Sequence, residues 1–339
     1  MKVLYIGQLN RGSTSKVRYE IIKDLFGENV QYINISEIME RYPRLIRSIG
    51  WRYYFGPLIW RINRQISMKI NSQNSQFDLI WIDKGVFILP RIIKILKSNT
   101  NKLVHYTPDT SFYENNSRLF RRSMKYFDFL IFTKSFELNE YRKRIAKEKL
   151  IILTQAFDPN IHFPRLNSSE KTNKITFIGL FEPEREEIIQ SIIDNDLEVN
   201  LGGVGWSKFV ERNKNNKKLN FIGEFVLESE YAQMISSSKF ALGLLSKKFP
   251  EKHTTRTFEI PACGTCLVTE KNEEIDSFFN DDECIKFKTI GELVKLILFY
   301  QKNEACLEQI TINGFRSVVN NKRDYPSQMR ETLEKIGLI

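Results

Sequence analysis

The sequence predicts an α/β protein made of two open, mostly parallel sheets, and three observations carry that prediction. Short apolar runs alternate with longer amphipathic ones almost from the first residue. Those short runs are continuously apolar, as expected when helices cover both faces of a parallel sheet. The rhythm stops once, near Asn160 to Thr172, in the polar stretch HFPRLNSSEKTNK, and then starts again.

In the first half, KVLYIG, VQYINI, FDLIWID, KLVHYTPD, KYFDFLIFT and KLIILTQAF read as strands. Helical patterns fall at Ser15 to Phe26, over a long stretch before FDLIWID, and at FILPRIIKILKS. In the second half the strands are KITFIGL, LEVNLGGVG, LNFIGEF, FALGLLS, TCLVTE and CIKFK, with helices at PEREEIIQSIIDN, ESEYAQMISSSK, TRTFEIPACG and EEIDSFF and a long helical tail. A chain of 339 residues is too long for one ordinary core and suits two domains. The expected division is a Rossmann-like domain over 1–165, a second over 166–322, and a C-terminal helix over 323–339 able to pack back on the first. No solenoid repeat or low-complexity tract interrupts this order. Open parallel sheets bind ligands outside the carboxyl ends of their strands, and two such sheets facing a central cleft would hold a ligand between them. Function is therefore sought on loops that follow strands.

Composition narrows the class. Hydrophobic residues make up 42% and charged residues 27%, the balance of a soluble globular protein. The start, MKVLYIGQLNRG, lacks the apolar region and cleavage site of a signal peptide, and no apolar stretch approaches the ~20 residues of a membrane-spanning helix. A cytoplasmic location is expected. The net charge of +10 implies an anionic partner, which nucleic acid, a phosphorylated substrate or a lipid surface would each satisfy. Of the four cysteines, Cys263 and Cys266 have the spacing of a metal or redox pair, but Cys266 opens an apolar strand and no second close pair follows. Neither a disulfide nor a metal is expected.

Lys247 to Glu270, KKFPEKHTTRTFEIPACGTCLVTE, is the segment richest in chemistry. Arg256 can offer a planar fork of donors to phosphate oxygens, with Lys247 or Lys248 as a point charge after FALGLLS. Glu259, one helical turn on, can accept both hydroxyls of a ribose, and Gly264 suits a left-handed helix cap. On spacing alone an ordinary i, i+3 pair between Arg256 and Glu259 is the competing reading. Asp194-Asn-Asp196 imitates a metal-binding triplet yet falls between a helix and a strand, where a solvated turn is expected.

Resemblance adds to these readings. The run RTFEIPACGTCLVTE, Arg256 to Glu270, resembles a signature of the group 1 glycosyltransferases of the CgeB-like type. ITFIGLFEPEREEII, with Arg185, resembles that family's strand and loop, and LGGVGW its glycine turn, here Gly203, Gly205 and Trp206. ESEYAQMISSSKFALGL, GELVKLILFY and YPSQMRETL agree in the same order, so most of 174–335 is covered, while the N-terminal half matches loosely. The resemblance implies a GT-B fold, a nucleoside-diphosphate sugar held by the C-terminal domain, an acceptor held mainly by the N-terminal domain, and no obligatory metal or other cofactor. Donor-binding positions would be Arg256, Glu259, Lys247, Lys248, Arg185, Gly179, Gly205 and Thr257. Glu251 and Glu259, eight apart, resemble the paired glutamates of retaining family 4 enzymes, in which the first carboxylate faces the sugar. Asp109, in KLVHYTPDTSFY, is what is left of the acidic pattern such enzymes carry there, and His105 on the same strand either faces the sugar or is a satisfied strand-end histidine. Glu251, His105 and Asp109 are thus the catalytic candidates.

Three other features leave two readings each. His253 precedes Arg256 and can reach phosphate, whereas His162 lies in the linker with no role assigned. The loop GQLNRGSTS lacks a full dinucleotide or phosphate-loop pattern, so Gly12 and Ser13 either line the cleft or make a simple turn. Residues 41–69 interleave seven basic side chains with Tyr42, Trp51, Tyr53, Tyr54, Phe55 and Trp60, which suits an anionic membrane interface or a packed helix pair with snorkelling arginines. The expected activity is transfer of a sugar to a glycan or lipid-linked acceptor, retaining if the paired glutamates act as in family 4, in bacterial-type surface polysaccharide or related synthesis, on the inner face of the membrane. A nucleotide-sugar epimerase of the same fold, or a noncatalytic nucleic-acid-binding module, are the alternatives; no nucleic-acid motif supports the last.

Overall fold

The computed structural model describes residues 1–73 and 75–339. The chain divides into two compact units, Met1–Thr154 with Met329–Ile339, and Gln155–Gln328. The first unit carries β1 (Val3–Gly7), β2 (Val30–Asn34), β3 (Phe77–Asp83), β4 (Thr100–Thr107), β5 (Phe129–Phe132) and β6 (Leu150–Ile152), in the order β2-β1-β3-β4-β5-β6. The second carries β7 (Thr172–Ile178), β8 (Val199–Gly202), β9 (Leu219–Gly223), β10 (Ser238–Leu242), β11 (Cys266–Glu270) and β12 (Ile285–Phe287), in the order β12-β11-β10-β7-β8-β9. Every pairing between these strands is parallel. Each of the twelve strands overlaps a run whose apolar character predicts one, with β4, β7 and β10 starting two residues before it.

The register explains why those runs are continuous. Along β1, Leu4 and Ile6 join one apolar cluster while Val3 and Tyr5 join the cluster on the opposite face, and β3 repeats this with Ile80 and Ile82 against Leu79 and Trp81. Both faces are covered, so neither parity can be polar. The tail closes the second of these clusters: Met329, Leu333 and Ile336 are buried with Val3, Tyr5, Val104 and Tyr106, and Lys102 donates to the carbonyl of Ile336.

The long stretch before β3 is three helices, Ile35–Glu40, Arg44–Tyr53 and Pro57–Asn71. Pro43 precedes the second and Gly56-Pro57 starts the third, with Tyr54 in the left-handed region at φ 52° ending the one between. Strand order reverses between β1 and β3 in the first unit and between β7 and β10 in the second. The crevices outside the carboxyl ends of those pairs are where such sheets hold ligands.

Candidate functional site

In the second unit, the chain beyond β7 runs through Gly179-Leu180-Phe181-Glu182 into the helix Pro183–Asp194, and beyond β10 through Gly243-Leu244 into a loop ending at the helix Arg256–Ala262. Arg185 and Arg256 enter this crevice from the two sides. The Arg185 guanidinium donates through Nη1 to the Leu180 carbonyl at 2.9 Å and through Nη2 to the Leu244 carbonyl at 3.3 Å, tying the two strand ends together. Arg256 Nη1 lies 3.5 Å from the Ile178 carbonyl. Both guanidinium carbons sit beside the Phe177 ring, at 5.8 and 5.9 Å from its centroid. Burial, and then the neighbouring Arg256 charge, hold the Arg185 guanidinium below its ordinary pKa.

Each arginine keeps a buried Nε–H without a hydrogen-bond partner. A buried donor left unpaired costs free energy, and these two lie on side chains that meet beside Phe177 at the β7/β10 switch point, which makes this the candidate site.

Carboxylates build the frame. Successive backbone N–H groups of the loop after β10 each donate to a different glutamate: Leu245 to Glu270 at 3.1 Å, Ser246 to Glu251 at 2.9 Å, and Lys247 to Glu182 at 3.0 Å. Glu182 is nearly fully buried, takes a further bond from the Ser246 hydroxyl, and lies 3.2 Å from Arg185. Sequence reasoning missed Glu182; its signal was the Glu182–Arg185 spacing across the start of a proline-initiated helix. Lys247 Nζ turns to Glu270 at 3.2 Å, whereas the Lys248 side chain is exposed.

Gly179 and Gly205 belong to the turn geometry beneath this crevice. The Gly179 carbonyl accepts from the Trp206 indole at 2.9 Å, and a Cβ on Gly203, which has φ +122°, would stand 2.0 Å from that same oxygen. Gly205 packs on Phe181. Thr257 is buried and its hydroxyl accepts from the Thr254 N–H at 3.1 Å, which secures the start of the Arg256 helix.

Two placements differ from the sequence reading. The i, i+3 pair open to Arg256 and Glu259 is not among the ion pairs of the described residues. Glu259 is instead 3.9 Å from His162 Nε2, beside Tyr231, whose phenol is pushed up by burial and then by the Glu259 charge. His162, given no role from sequence, is therefore the neighbour of a candidate ribose-binding carboxylate. His253 moves the other way: its Nε2 accepts from the Gln155 N–H at 3.1 Å and its Nδ1 is 2.7 Å from Glu274. With both ring nitrogens engaged and the ring buried against Phe258 and Phe278, it holds the fold rather than a phosphate.

Glu251 also departs from expectation, since its carboxylate turns back to its own loop at Ser246. Asp194 ends a helix and Asp196 follows in the turn, exposed beside Lys218. Among the described residues no cluster of three His, Cys, Asp or Glu is arranged to hold a metal. Cys263, Cys266 and Cys284 are buried free thiols, the first two pushed up to about 12 by burial.

In the first unit, His105 is a core residue. It is 1% exposed, stacks on Phe120 at 4.3 Å, and donates from Nε2 to the Lys84 carbonyl at 3.0 Å. Burial lowers its pKa to about 4, so the ring is neutral, and the reading in which it meets a sugar directly does not fit this placement. Asp109 is more accessible and pairs with Lys84 at 2.7 Å. At the carboxyl end of β3 lies a buried bidentate pair, Arg18 to Asp83 at 2.7 and 3.1 Å, with the Tyr5 hydroxyl 2.9 Å away, a network the sequence did not reveal. Ser13 caps the helix Thr14–Phe26, accepting from the Ser15 N–H at 3.2 Å, so the Gly12–Ser13 loop is a capped turn.

Comparisons with known proteins bear on the fold. A family model described as glycosyl transferase-like matches residues 184–334. No curated protein matches the chain. Among solved structures the chain is similar to HepE of Anabaena in complex with UDP, at 12% identity, with 99% of each chain covered and a TM-score of 0.67. It is similar also to sucrose-phosphate synthase of Thermosynechococcus elongatus, at 10% identity, 99% of each chain and a TM-score of 0.71. A glycosyltransferase of Rickettsia africae matches at 11% identity over 98% of this chain and 96% of that one, with a TM-score of 0.66. Likeness at these identities carries the fold, and the fold is the α/β arrangement of two six-stranded parallel sheets called GT-B.

Proposed function

We propose that the chain is a glycosyltransferase that moves a sugar from a nucleoside-diphosphate donor to a hydroxyl of a glycan or lipid-linked acceptor. The observation that carries this reading is the pair of buried, unpartnered arginine Nε–H groups at the β7/β10 switch point. In the transfer, the bond from the anomeric carbon to the diphosphate oxygen breaks and a bond to the acceptor oxygen forms, while the proton of the acceptor hydroxyl passes to the departing diphosphate oxygen. Arg185 and Arg256 would take the charge that develops on the departing diphosphate, helped by Lys248, which stays free to swing inward. Glu259 would accept the ribose hydroxyls, and exposed Leu180, Val204 and Phe225, on the loops after β7, β8 and β9, would give the base an apolar face. The first unit would receive the acceptor, and the synthesis of surface polysaccharide or a related glycoconjugate at the cytoplasmic side is the setting that fits such a reaction.

Supporting this reading are the family match over the unit that holds the arginines and the UDP bound to the Anabaena protein of the same fold. Thermal-shift and calorimetric titration with UDP, GDP, TDP and CMP, alone and as sugar conjugates, is the test, since a ligand that binds only the folded state raises its melting temperature. Stabilisation by at least one nucleoside diphosphate, lost in Arg256→Ala, is expected. No response to any of them would end the proposal. With guanidinium groups neutralising the diphosphate, transfer should also persist in excess EDTA; activity abolished by chelator and restored by manganese or magnesium would show that a metal does this work instead.

A further inference from the structure

The helices Arg44–Tyr53 and Pro57–Asn71 divide the basic aromatic segment between two faces. Tyr42, Ile46, Trp51 and Tyr54 turn inward against the apolar core of the first unit, Trp51 meeting the Phe87 ring at 4.5 Å. The outward face is ordered differently. On the first helix Arg44, Ser48 and Arg52 form one exposed row, and Leu45, Ile49 and Tyr53 form the adjacent exposed row, each at i, i+4, i+8. At the corner, exposed Phe55 and Trp60 stand edge to face at 5.4 Å, and Arg61, Arg64 and Met68 continue the surface along the second helix.

Leu45 is 72% exposed and Trp60 55%, so folding of this unit does not account for them. Residues 41–69 hold seven Lys and Arg and not one Asp or Glu. Among the described residues, Arg44, Arg52, Arg61 and Arg64 have no carboxylate within ion-pair distance. A surface that exposes aliphatic and aromatic side chains beside unpaired cations is complementary to one environment above others: the interface of a bilayer with anionic headgroups, where cations meet phosphate, rings sit at headgroup depth and aliphatic chains reach the acyl boundary. A nucleic acid would satisfy the arginines and rings but leave the Leu45–Ile49 row against water.

We propose that this two-helix face seats the protein on an anionic membrane as a peripheral protein. No helix of the described residues is long and apolar enough to cross a membrane, and none is required. The inference does not depend on sugar transfer, because its test reads lipid binding alone. The purified full chain is floated with vesicles of phosphatidylcholine and with vesicles of phosphatidylcholine mixed with phosphatidylglycerol, at low and at high salt. The protein is expected to float with the anionic vesicles at low salt and to be released from them by salt. The variant Arg44→Glu, Arg52→Glu, Arg61→Glu should partition on the order of 100-fold less. Leu45→Ser, Ile49→Ser, Trp60→Ser should lose binding at moderate salt. Both should keep the wild-type thermal transition, since every changed side chain is exposed. Wild type remaining unbound to anionic vesicles, or the arginine variant floating as well as wild type, would overturn the proposal. So would a concentration-dependent dimer abolished by the Leu45, Ile49 and Trp60 changes without flotation, or tight binding of single-stranded RNA without flotation.

Discussion

Arg185 and Arg256 both lie beside Phe177, yet their surroundings give them different costs of removal. Arg256 has one long contact to the Ile178 carbonyl and no ion pair among the described residues, so Arg256→Ala should weaken nucleoside-diphosphate binding by roughly 10–100-fold, as expected for one lost charge-assisted contact, with little change in melting temperature. Arg185 also neutralises Glu182, and both side chains are 5% exposed. Arg185→Ala should therefore lose nucleotide binding and roughly 3 kcal/mol of stability as well, read by urea denaturation, because a buried carboxylate is left unpaired. The double change Arg185→Ala, Glu182→Ala should recover part of that stability without recovering binding. Arg256 and Arg185 were legible as a motif; Glu182 was marked only by its spacing from Arg185, and what distinguishes it is burial, which no local pattern states.

His105 gives the second residue-scale prediction. Its pKa is about 4 in the folded chain against an ordinary 6.5, so between those values the unfolded chain binds a proton that the folded chain does not. Its contribution is complete above about pH 6.5 and is lost as pH falls toward 4, on the order of 3 kcal/mol in all. Glu137, raised to about 6 mainly by burial, acts in the opposite sense below that pH, so the comparison must be with a variant. His105→Phe should flatten the fall in stability between pH 6.5 and 4; an unchanged slope would mean the ring is not buried neutral. The sequence allowed both a sugar-facing and a satisfied histidine, and Phe120 and Phe127, distant in the chain, decide for the second.

At the scale of elements, the loop after β10 is held by three glutamates from three places in the chain. Glu251 serves its loop, so Glu251→Gln, which keeps an acceptor for the Ser246 N–H, should leave nucleotide affinity within about 3-fold, while Glu251→Ala should weaken it by roughly 10-fold. A Gln variant that binds normally but transfers no sugar would return to Glu251 the direct role that the paired-glutamate pattern implies. The glycine turn after β8 is equally specific. Gly203→Ala places a Cβ against the Gly179 backbone at a positive φ and should cost roughly 3 kcal/mol in denaturant titration, with nucleotide binding disturbed because Gly179 leads into the Arg185 loop. The central strands were readable because both of their faces are buried. The split of the segment before β3 into three helices was written in Pro43 and Gly56-Pro57, punctuation that a continuous helical reading passes over.

Across the whole molecule, the last residues complete the first unit, although the chain reaches them only after tracing the second. Deleting Met329–Ile339 would uncover Val3, Tyr5, Val104 and Tyr106, and burial of Met329, Leu333 and Ile336 should contribute on the order of 5 kcal/mol. The truncated chain should melt at a lower temperature, with hydrogen exchange rising first in β1 and β4; protection unchanged in those strands would contradict the packing. The sequence by itself determined the fold class and the two successive sets of parallel strands, because these rest on local periodicity and short spacing, whereas the second unit begins at Gln155 rather than at the polar stretch after Asn160. Only the tertiary structure decided that Arg185 and Arg256 converge, that Glu182 braces Arg185, that His162 faces Glu259, that His105 and His253 are interior, and that the basic helices keep an uncovered apolar row. Each of those depends on contacts between residues far apart in the chain, where burial and the choice of partner, rather than residue type, set what a side chain can do.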